Sequence, residues 1–265
     1  KKELYVGLLP YLKEFAETLE YDLEIDIPNI GEKCDVKELT DKLNLHAGGQ
    51  PIKARDYQID AVNHCINKGR ALLLSPTASG KSLIIYSLIR YHQARGRKQL
   101  IIVPTTSLVE QMYTDFVDYG FKESMMQKIY QGYSKNITKP ITISTWQSLY
   151  KMPKKWFEQF DVIIGDEAHQ FKAKSLTTIM HKLHGCKYRI GFTGTLDGAN
   201  VNQLVLEGVF GRCSQVIKTH SLMKQGHVSN LSVKVLVLKH KEQIFEGYQD
   251  EMNYLCEHCL LYTSP

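Results

Sequence analysis

No apolar run in the chain approaches the roughly 18 residues that a membrane-spanning helix needs. The longest strand-like runs, such as "LIIV" at 100–103, are the size of buried strands. A secretory leader is also lacking, since "KKELYVGLLPYL" at 1–12 has neither a long apolar core nor a small-residue cleavage site. Cysteine is sparse and scattered (Cys34, Cys65, Cys186, Cys213, Cys256, Cys259), which argues against a disulfide framework and for free thiols in a reducing cytoplasm. "CEHC" at 256–259 has the spacing of half a zinc site, but the other half is missing. There is no internal repeat and no low-complexity segment. Neither sign of charge dominates: 33 Lys and Arg stand against 28 Asp and Glu, a net +5. That balance admits a polyanionic partner without requiring one, because a nucleic-acid footprint needs clustered charge. What remains is a 265-residue globular chain, 43% hydrophobic, with room for one large domain and parts of others.

The chain opens on lysine in the middle of an element, as a piece of a longer protein would. Residues 8–19, "LLPYLKEFAETL", space Leu12, Phe15, Ala16 and Leu19 as a helix does, with Pro10 suited to a first turn. "YDLEIDI" at 21–27 alternates like a strand, and "HAGGQP" at 46–51 has linker composition. Residues 1–48 are therefore expected to be the end of a small upstream α/β domain plus its linker. From there the pattern becomes wholly apolar strands at 70–75, 99–104, 140–145, 161–167 and 188–194, with helices at 80–95, 106–119 and 174–184. Such a series implies an α/β fold with a parallel sheet covered on both faces. Ligands of such sheets bind outside the carboxyl ends of the strands. A second domain is expected to begin near 223, with a strand at 231–239.

The chemistry-bearing residues sit at those strand ends. "SGKS" at 79–82 follows one buried strand and opens a helix, the setting of a phosphate-binding loop. Helix N-termini offer free N–H groups to phosphates, and Gly80 lets the backbone curl without a Cβ. Lys81 is then placed for the β- and γ-phosphates and Ser82 for Mg²⁺. The general pattern wants glycine at position 75, where this chain has Ser75. Taken alone, the stretch fits a helix cap that happens to carry Lys81. "DVIIGDEAHQF" puts Asp166 and Glu167 at the end of another apolar strand. Taken alone, that pair fits a solvated acidic turn; with the loop upstream it fits Asp166 holding Mg²⁺ through water and Glu167 polarising the attacking water.

With "PTASGKS" at 76–82 and "DEAH" at 166–169, the chain resembles the first motor domain of superfamily 2 helicases and translocases over roughly residues 50–220. The resemblance implies a RecA-like P-loop domain over 49–222, and ATP and Mg²⁺ as its cofactors. It implies nucleotide contacts from Pro76, Thr77, Ala78, Ser79, Gly80, Lys81 and Ser82, with "RDYQ" at 55–58 giving Gln58 and Arg55 as readers of adenine. "PTTSLVEQ" (104–111) and "STWQSL" (144–149) resemble the elements that grip the nucleic-acid backbone, implicating Thr105, Thr106, Thr145 and Trp146. Trp146 suits base stacking and a place beneath the sheet equally well. "TGT" at 193–195 resembles the motif that couples ATP state to movement, through Thr193, Thr195 and His169.

A narrower resemblance, carried by "LLPYLKEF", "IIVPTTSLVEQMYTDFVDY" and "GHVSNLSV", is to the UvsW-like phage DNA helicases, which remodel branched DNA. It implies DNA as partner, no membrane, and the host cytoplasm as location. A duplex-DNA translocase subunit of a restriction enzyme, an RNA helicase, and a non-catalytic nucleic-acid-binding module are the alternatives. Motors of this kind take arginine fingers from a second domain. No "QxxGRxxR"-like motif occurs here, so this chain alone is expected to hydrolyse ATP slowly. Three basic residues in "YKMPKKWF" and the histidines His181 and His184 are read as solvated surface. The last residues, "CLLYTSP" at 259–265, resemble translated sequencing-adapter sequence, which would make Cys259 non-native.

Overall fold

The computed structural model describes residues 3–170, 173–196, 200–224, 226 and 245–257. The chain divides into a compact unit spanning 1–229 and another spanning 230–265. The expected strand at 231–239 and the terminal 259–265 lie outside the described residues. In the second unit a helix is described over Tyr248–Glu257, and the Phe245 and Tyr254 rings lie 5.4 Å apart.

The first unit opens with α1 (Leu9–Thr18), α2 (Val36–Lys42), β1 (His46–Ala47), β2 (Gln50–Pro51), α3 (Asp56–Lys68) and β3 (Arg70–Leu74). Then follow α4 (Lys81–Gln93), β4 (Gln99–Val103), α5 (Thr106–Asp118), β5 (Met126–Ile129), β6 (Ile141–Thr145), α6 (Trp146–Leu149) and α7 (Lys154–Phe157). It closes with β7 (Val162–Gly165), α8 (Ala173–Lys182), β8 (Tyr188–Thr193), α9 (Asn200–Phe210), β9 (Cys213–Gln215) and α10 (Thr219–Lys224). Seven strands form one parallel sheet in the order β5-β6-β4-β7-β8-β3-β9. β4 and β7 are buried along their whole length, as strands covered on both faces must be. One apolar layer packs residues of α3, α4 and α5 against the sheet, and the other packs α8 and α9 against its opposite face.

Two expectations for the N-terminal part are corrected. Residues 21–27 form no strand: the alternation finds no partner, and Tyr21, Leu23 and Ile27 stay exposed. A strand without a ladder leaves its N–H and C=O groups to water. The stretch 46–51 is not a loose linker but the hairpin β1–β2, turned by Gly48 and Gly49, both with positive φ. The Gly48 N–H donates to Asp118 Oδ2 at 2.7 Å, which pins the hairpin to α5. Beyond the expected elements, β5, β9 and α9 complete the sheet and its second face. β5 is an edge strand with half-buried Gln127 and Lys128 at its centre, so it lacks the apolar run that marks the inner strands.

The pre-motor segment is held by Glu32. Its carboxylate accepts from Tyr91 (2.6 Å), Arg95 (3.0 Å), Tyr188 (2.5 Å) and Arg97. Burial pushes this carboxyl up, but the hydrogen bonds from Tyr188, Tyr91 and Arg97 outweigh it and hold it at about 2. His92 lies beneath, 1% exposed, its Nδ1 3.0 Å from the Arg97 guanidinium.

Candidate nucleotide site at the carboxyl end of the sheet

The loop from Ser75 to Gly80 joins the end of β3 to the start of α4. Ser75 N–H continues the sheet by donating to the Thr193 carbonyl at 2.8 Å. The Ser75 and Ser79 hydroxyls, both 0% exposed, hydrogen-bond each other at 2.7 Å across the loop. Ser75 has no left-handed backbone. The positive φ values fall at Ala78 (64°) and Gly80 (73°), which is why a side chain is tolerated at 75 and not wanted at 80. A Cβ at Gly80 would stand 2.3 Å from Gln58 Nε2. Ala78 keeps its left-handed conformation without glycine's freedom, the kind of strain that collects at ligand-binding turns.

Gln58, 4% exposed, fixes the loop from below. Its Oε1 accepts the Arg55 N–H at 2.9 Å, and its Nε2 donates to the Ser79 carbonyl at 3.0 Å. Tyr57 donates to the same carbonyl at 3.0 Å, and Arg55 donates to the Tyr57 hydroxyl at 2.8 Å. Arg55, Gln58 and Ser79 are thus one hydrogen-bonded group, while Pro76 is half-buried and Thr77 and Ala78 form the exposed tip. Tyr57 was not singled out in the sequence although it sits inside "RDYQ". Its role depends on a carbonyl 22 residues away, which no local pattern displays.

Lys81 reaches from the first turn of α4 to the end of β7. Its Nζ pairs with Glu167 Oε1 and lies 3.2 Å from Asp166 Oδ1. Asp166 is 6% exposed, and burial raises its carboxyl above the usual range, with Lys81 opposing and Glu167 adding to the rise. Glu167 has a positive φ of 48°, and its N–H donates to Asp166 Oδ1 at 2.9 Å. One cation therefore faces two carboxylates, leaving an excess of negative charge that a divalent cation would neutralise. Among the described residues no group of three or more His, Cys, Asp or Glu is arranged to hold a metal. Magnesium bound through one or two carboxylates and phosphate oxygens needs no such group, so the residues present fit it.

Ser82, expected at Mg²⁺, has other partners in this structure. Its hydroxyl is hydrogen-bonded to Tyr119 OH at 2.9 Å, with the Asp115 carboxyl also bonded to it. Serving a metal would mean giving up these partners. Tyr119 and Asp115 were invisible in the sequence for the same reason as Tyr57: they come from α5 and the residue that caps it.

His169 lies with its Nδ1 2.8 Å from Thr193 Oγ1 and 3.5 Å from Glu167 Oε2. Thr193 gives its only hydroxyl proton to the Thr195 carbonyl at 2.5 Å, so it accepts from a protonated His169 Nδ1. A line of contacts thus runs from Glu167 through His169 to the turn at 193–195, hydrogen-bonded from His169 onward. The remaining candidates do not join it. Thr105 and Thr106 are exposed at the start of α5, where Thr105 Oγ1 caps the helix by accepting the Leu108 N–H at 3.3 Å. Thr145 is 4% exposed and bonded to Ser148 at 2.9 Å, and Trp146 is half-buried against the α8 face.

Comparison with known proteins agrees with this geometry. Residues 51–198 match the family described as "Type III restriction enzyme, res subunit". The chain is 35% identical over 265 residues to the ATP-dependent DNA helicase uvsW of Enterobacteria phage T4, covering 94% of this chain and 53% of that protein. It is 26% identical to the DNA 3'-5' translocase XPB2 of Sulfurisphaera tokodaii over 67% of this chain and 36% of that one. The chain thus spans about half or less of these relatives' length. Its structure superposes on the crystal structure of the UvsW helicase from bacteriophage T4 with a TM-score of 0.71 and 39% identity, covering 79% of this chain and 78% of that one. The fold is RecA-like, as expected from the sequence.

Proposed function

Since the chain belongs to the res-subunit family of type III restriction enzymes, within the superfamily 2 helicases, we propose that it is the first motor domain of an ATP-dependent DNA helicase or translocase. The observation that carries this reading is Lys81 drawn between Asp166 and Glu167 at the foot of a strained, glycine-hinged loop. On this reading the Lys81 ammonium leaves its carboxylates for the β- and γ-phosphates when nucleotide enters. Asp166 would hold Mg²⁺, together with Ser82 once its hydroxyl left Tyr119 and Asp115, and the ion would supply neutralisation of phosphate charge. Glu167, freed of Lys81, takes a proton from the attacking water. Gln58 and Arg55 select adenine beside Ser79. His169 reports the state of Glu167 to Thr193 and Thr195.

DNA is the proposed partner, gripped by Thr105 and Thr106 at the exposed start of α5, with Thr145 and Trp146 beside them. The likeness to the T4 helicase favours branched or recombination-intermediate DNA, and the family description supports duplex translocation as the second reading. Residues 1–48 belong to a small upstream domain, and 223 onward to the second motor domain. Among the described residues no helix is long and apolar enough to cross a membrane; the host cytoplasm is the proposed location.

The test is ATP hydrolysis by the chain extended through a second motor domain, with branched DNA, single-stranded DNA, duplex DNA or RNA. Stimulation by branched DNA supports the remodelling helicase, and stimulation by duplex alone supports the translocase. Stimulation by RNA alone, or no hydrolysis with any of them, overturns the DNA motor. Lys81→Ala is expected to weaken nucleotide binding at least about a hundredfold, the loss of charge-assisted contacts to two phosphates. A fluorescent nucleotide titration reads this.

A further inference from the structure

At the opposite edge of the sheet from the ATP loop, the amino ends of β3 and β8 carry two arginines. Arg70 and Arg189 are partners in the parallel β3–β8 register. Both side chains leave the face on which Leu72 and Ile163 pack, where the period of two calls for apolar residues. Like charges placed directly across a sheet are destabilising, and half-burial adds to the cost. Arg189 is accounted for. It donates to the Leu183 carbonyl at 2.8 Å and the Cys186 carbonyl at 3.3 Å, just past the end of α8, where a cation complements the helix dipole. Arg70 is not accounted for. Its side chain makes no hydrogen bond or ion pair with any described residue, and burial together with Arg189 lowers its guanidinium to about 10.

Both arginines line a cavity of about 200 Å³ together with His181 and His184, and among the described residues no acidic one lines it. Met180 and Val209 supply apolar wall. The cavity exists because the N-terminal segment approaches α9 closely. A Cβ on Gly7 would lie 1.9 Å from the Glu207 carbonyl oxygen, and one on Gly208 would lie 3.0 Å from the Tyr5 ring. Tyr5 closes one side, its hydroxyl 3.3 Å from His181 Nε2. Four nitrogenous side chains, two of them guanidiniums, thus converge with no anion among the described residues that line the cavity.

We propose that this cavity is a second anion site, separate from the ATP loop, that binds a phosphate group through Arg70, with the unused donors of Arg189 and the two imidazoles around it. A phosphate dianion matches two guanidiniums in charge, and its oxygens accept the forked donors that arginine presents. The group is either free phosphate or a monoester whose body lies on the apolar wall.

The experiment is calorimetric titration of the Lys81→Ala chain, in which the ATP loop no longer holds phosphate, with inorganic phosphate and with phenyl phosphate. Saturable binding of one equivalent is expected, weakened at least about tenfold in an added Arg70→Met change, as loss of a charge-assisted pair implies. Because Arg70→Met removes an unpaired charge, the variant is expected to unfold at no lower urea concentration. Should it fail to fold, Arg70→Gln serves, and His184→Ala on the exposed rim is a further variant expected to weaken binding. Tighter phenyl phosphate assigns the monoester, and equal affinities assign free phosphate. No binding to the Lys81→Ala chain, or binding indifferent to both Arg70 and His184, overturns the proposal. Displacement of phosphate by duplex DNA also overturns it, by giving the cavity to a nucleic-acid track.

Discussion

At the carboxyl end of the sheet one cation, Lys81, faces the carboxylates of Asp166 and Glu167; at the amino end one carboxylate, Glu32, faces two guanidiniums and two phenols. The shifts run in opposite directions. Asp166 is raised by burial beside a second acid, while Glu32 is held at about 2 because its donors outweigh burial. The Glu32 cluster is closed: every carboxylate oxygen is satisfied, and the arginines stack on Tyr91 and Tyr188, with cation-to-ring distances of 3.7 and 4.2 Å. The Lys81 cluster is left unbalanced, on a backbone strained at Ala78 and Glu167. A fold can afford to complete its charges where it needs rigidity, and must leave them incomplete where a charged ligand enters.

The largest effect is expected from changing the open cluster. Glu167→Gln removes the excess negative charge while keeping the shape, and takes away the base. Steady-state hydrolysis in the extended protein should fall by about 10²–10⁴, with nucleotide affinity kept or improved. Hydrolysis within about threefold of the parent would remove Glu167 from the chemistry. The closed cluster should respond in stability instead. Glu32→Ala leaves Arg95, Arg97 and two phenols without their acceptor, and should cost about 2–3 kcal/mol in urea unfolding. Nucleotide affinity should stay unchanged, because none of these groups reaches the loop.

Acid separates the clusters next. His92 is buried as a neutral acceptor, and burial plus the adjacent Arg97 lower it from 6.5 to about 3. A lowered pKa contributes stability above the unfolded value that is lost as pH falls towards the folded one. The His92 limb therefore runs from about pH 6.5 down to about 3, and the Glu32 limb from 4.5 to about 2. Asp166 has the opposite sign, since a raised pKa favours the folded state as pH falls. Unfolding free energy should decline from about pH 6.5 downward, and His92→Gln should shrink the part above pH 4.5, leaving the share of His64, which burial also lowers, and the Glu32 limb. A profile flat from pH 7 to 4.5 in the parent chain would show that His92 is not held neutral by the fold.

How these clusters could be read in advance follows from where their partners lie. The inner strands declare themselves by continuous Val, Ile and Leu, and Lys81, Asp166 and Glu167 declare themselves by standing at strand ends, where a charge has to be explained. Glu32 gave no signal, because its donors lie 59 to 156 residues away. The alternation at 21–27 misled because a period of two states which faces a strand would have, not whether a neighbour exists to pair with it. "HAGGQP" misled because paired glycines suit a linker and a two-residue hairpin turn equally. Its outcome was decided by Asp118, a partner beyond the local sequence.

The smallest effect concerns Ser75, which stands where phosphate loops of this kind commonly have glycine. Its hydroxyl is wholly buried against Ser79, so Ser75→Gly leaves one buried hydroxyl unpaired and also loosens the unfolded chain. Together these should cost about 1–2 kcal/mol. Ser79→Ala added to it should cost less than a second such amount, since the orphaned group is then gone. Nucleotide affinity should change by less than about threefold, well under 1 kcal/mol. The loop is still held through the Ser79 carbonyl, which takes bonds from both Tyr57 and Gln58, and its phosphate-facing shape is set by the left-handed residues at 78 and 80. If Ser75→Gly instead weakened nucleotide binding as far as Lys81→Ala, the serine pair and not the backbone would be shaping the loop. The contrast between a rigid latch and an open site would then have to be redrawn with a rigid element inside the site itself.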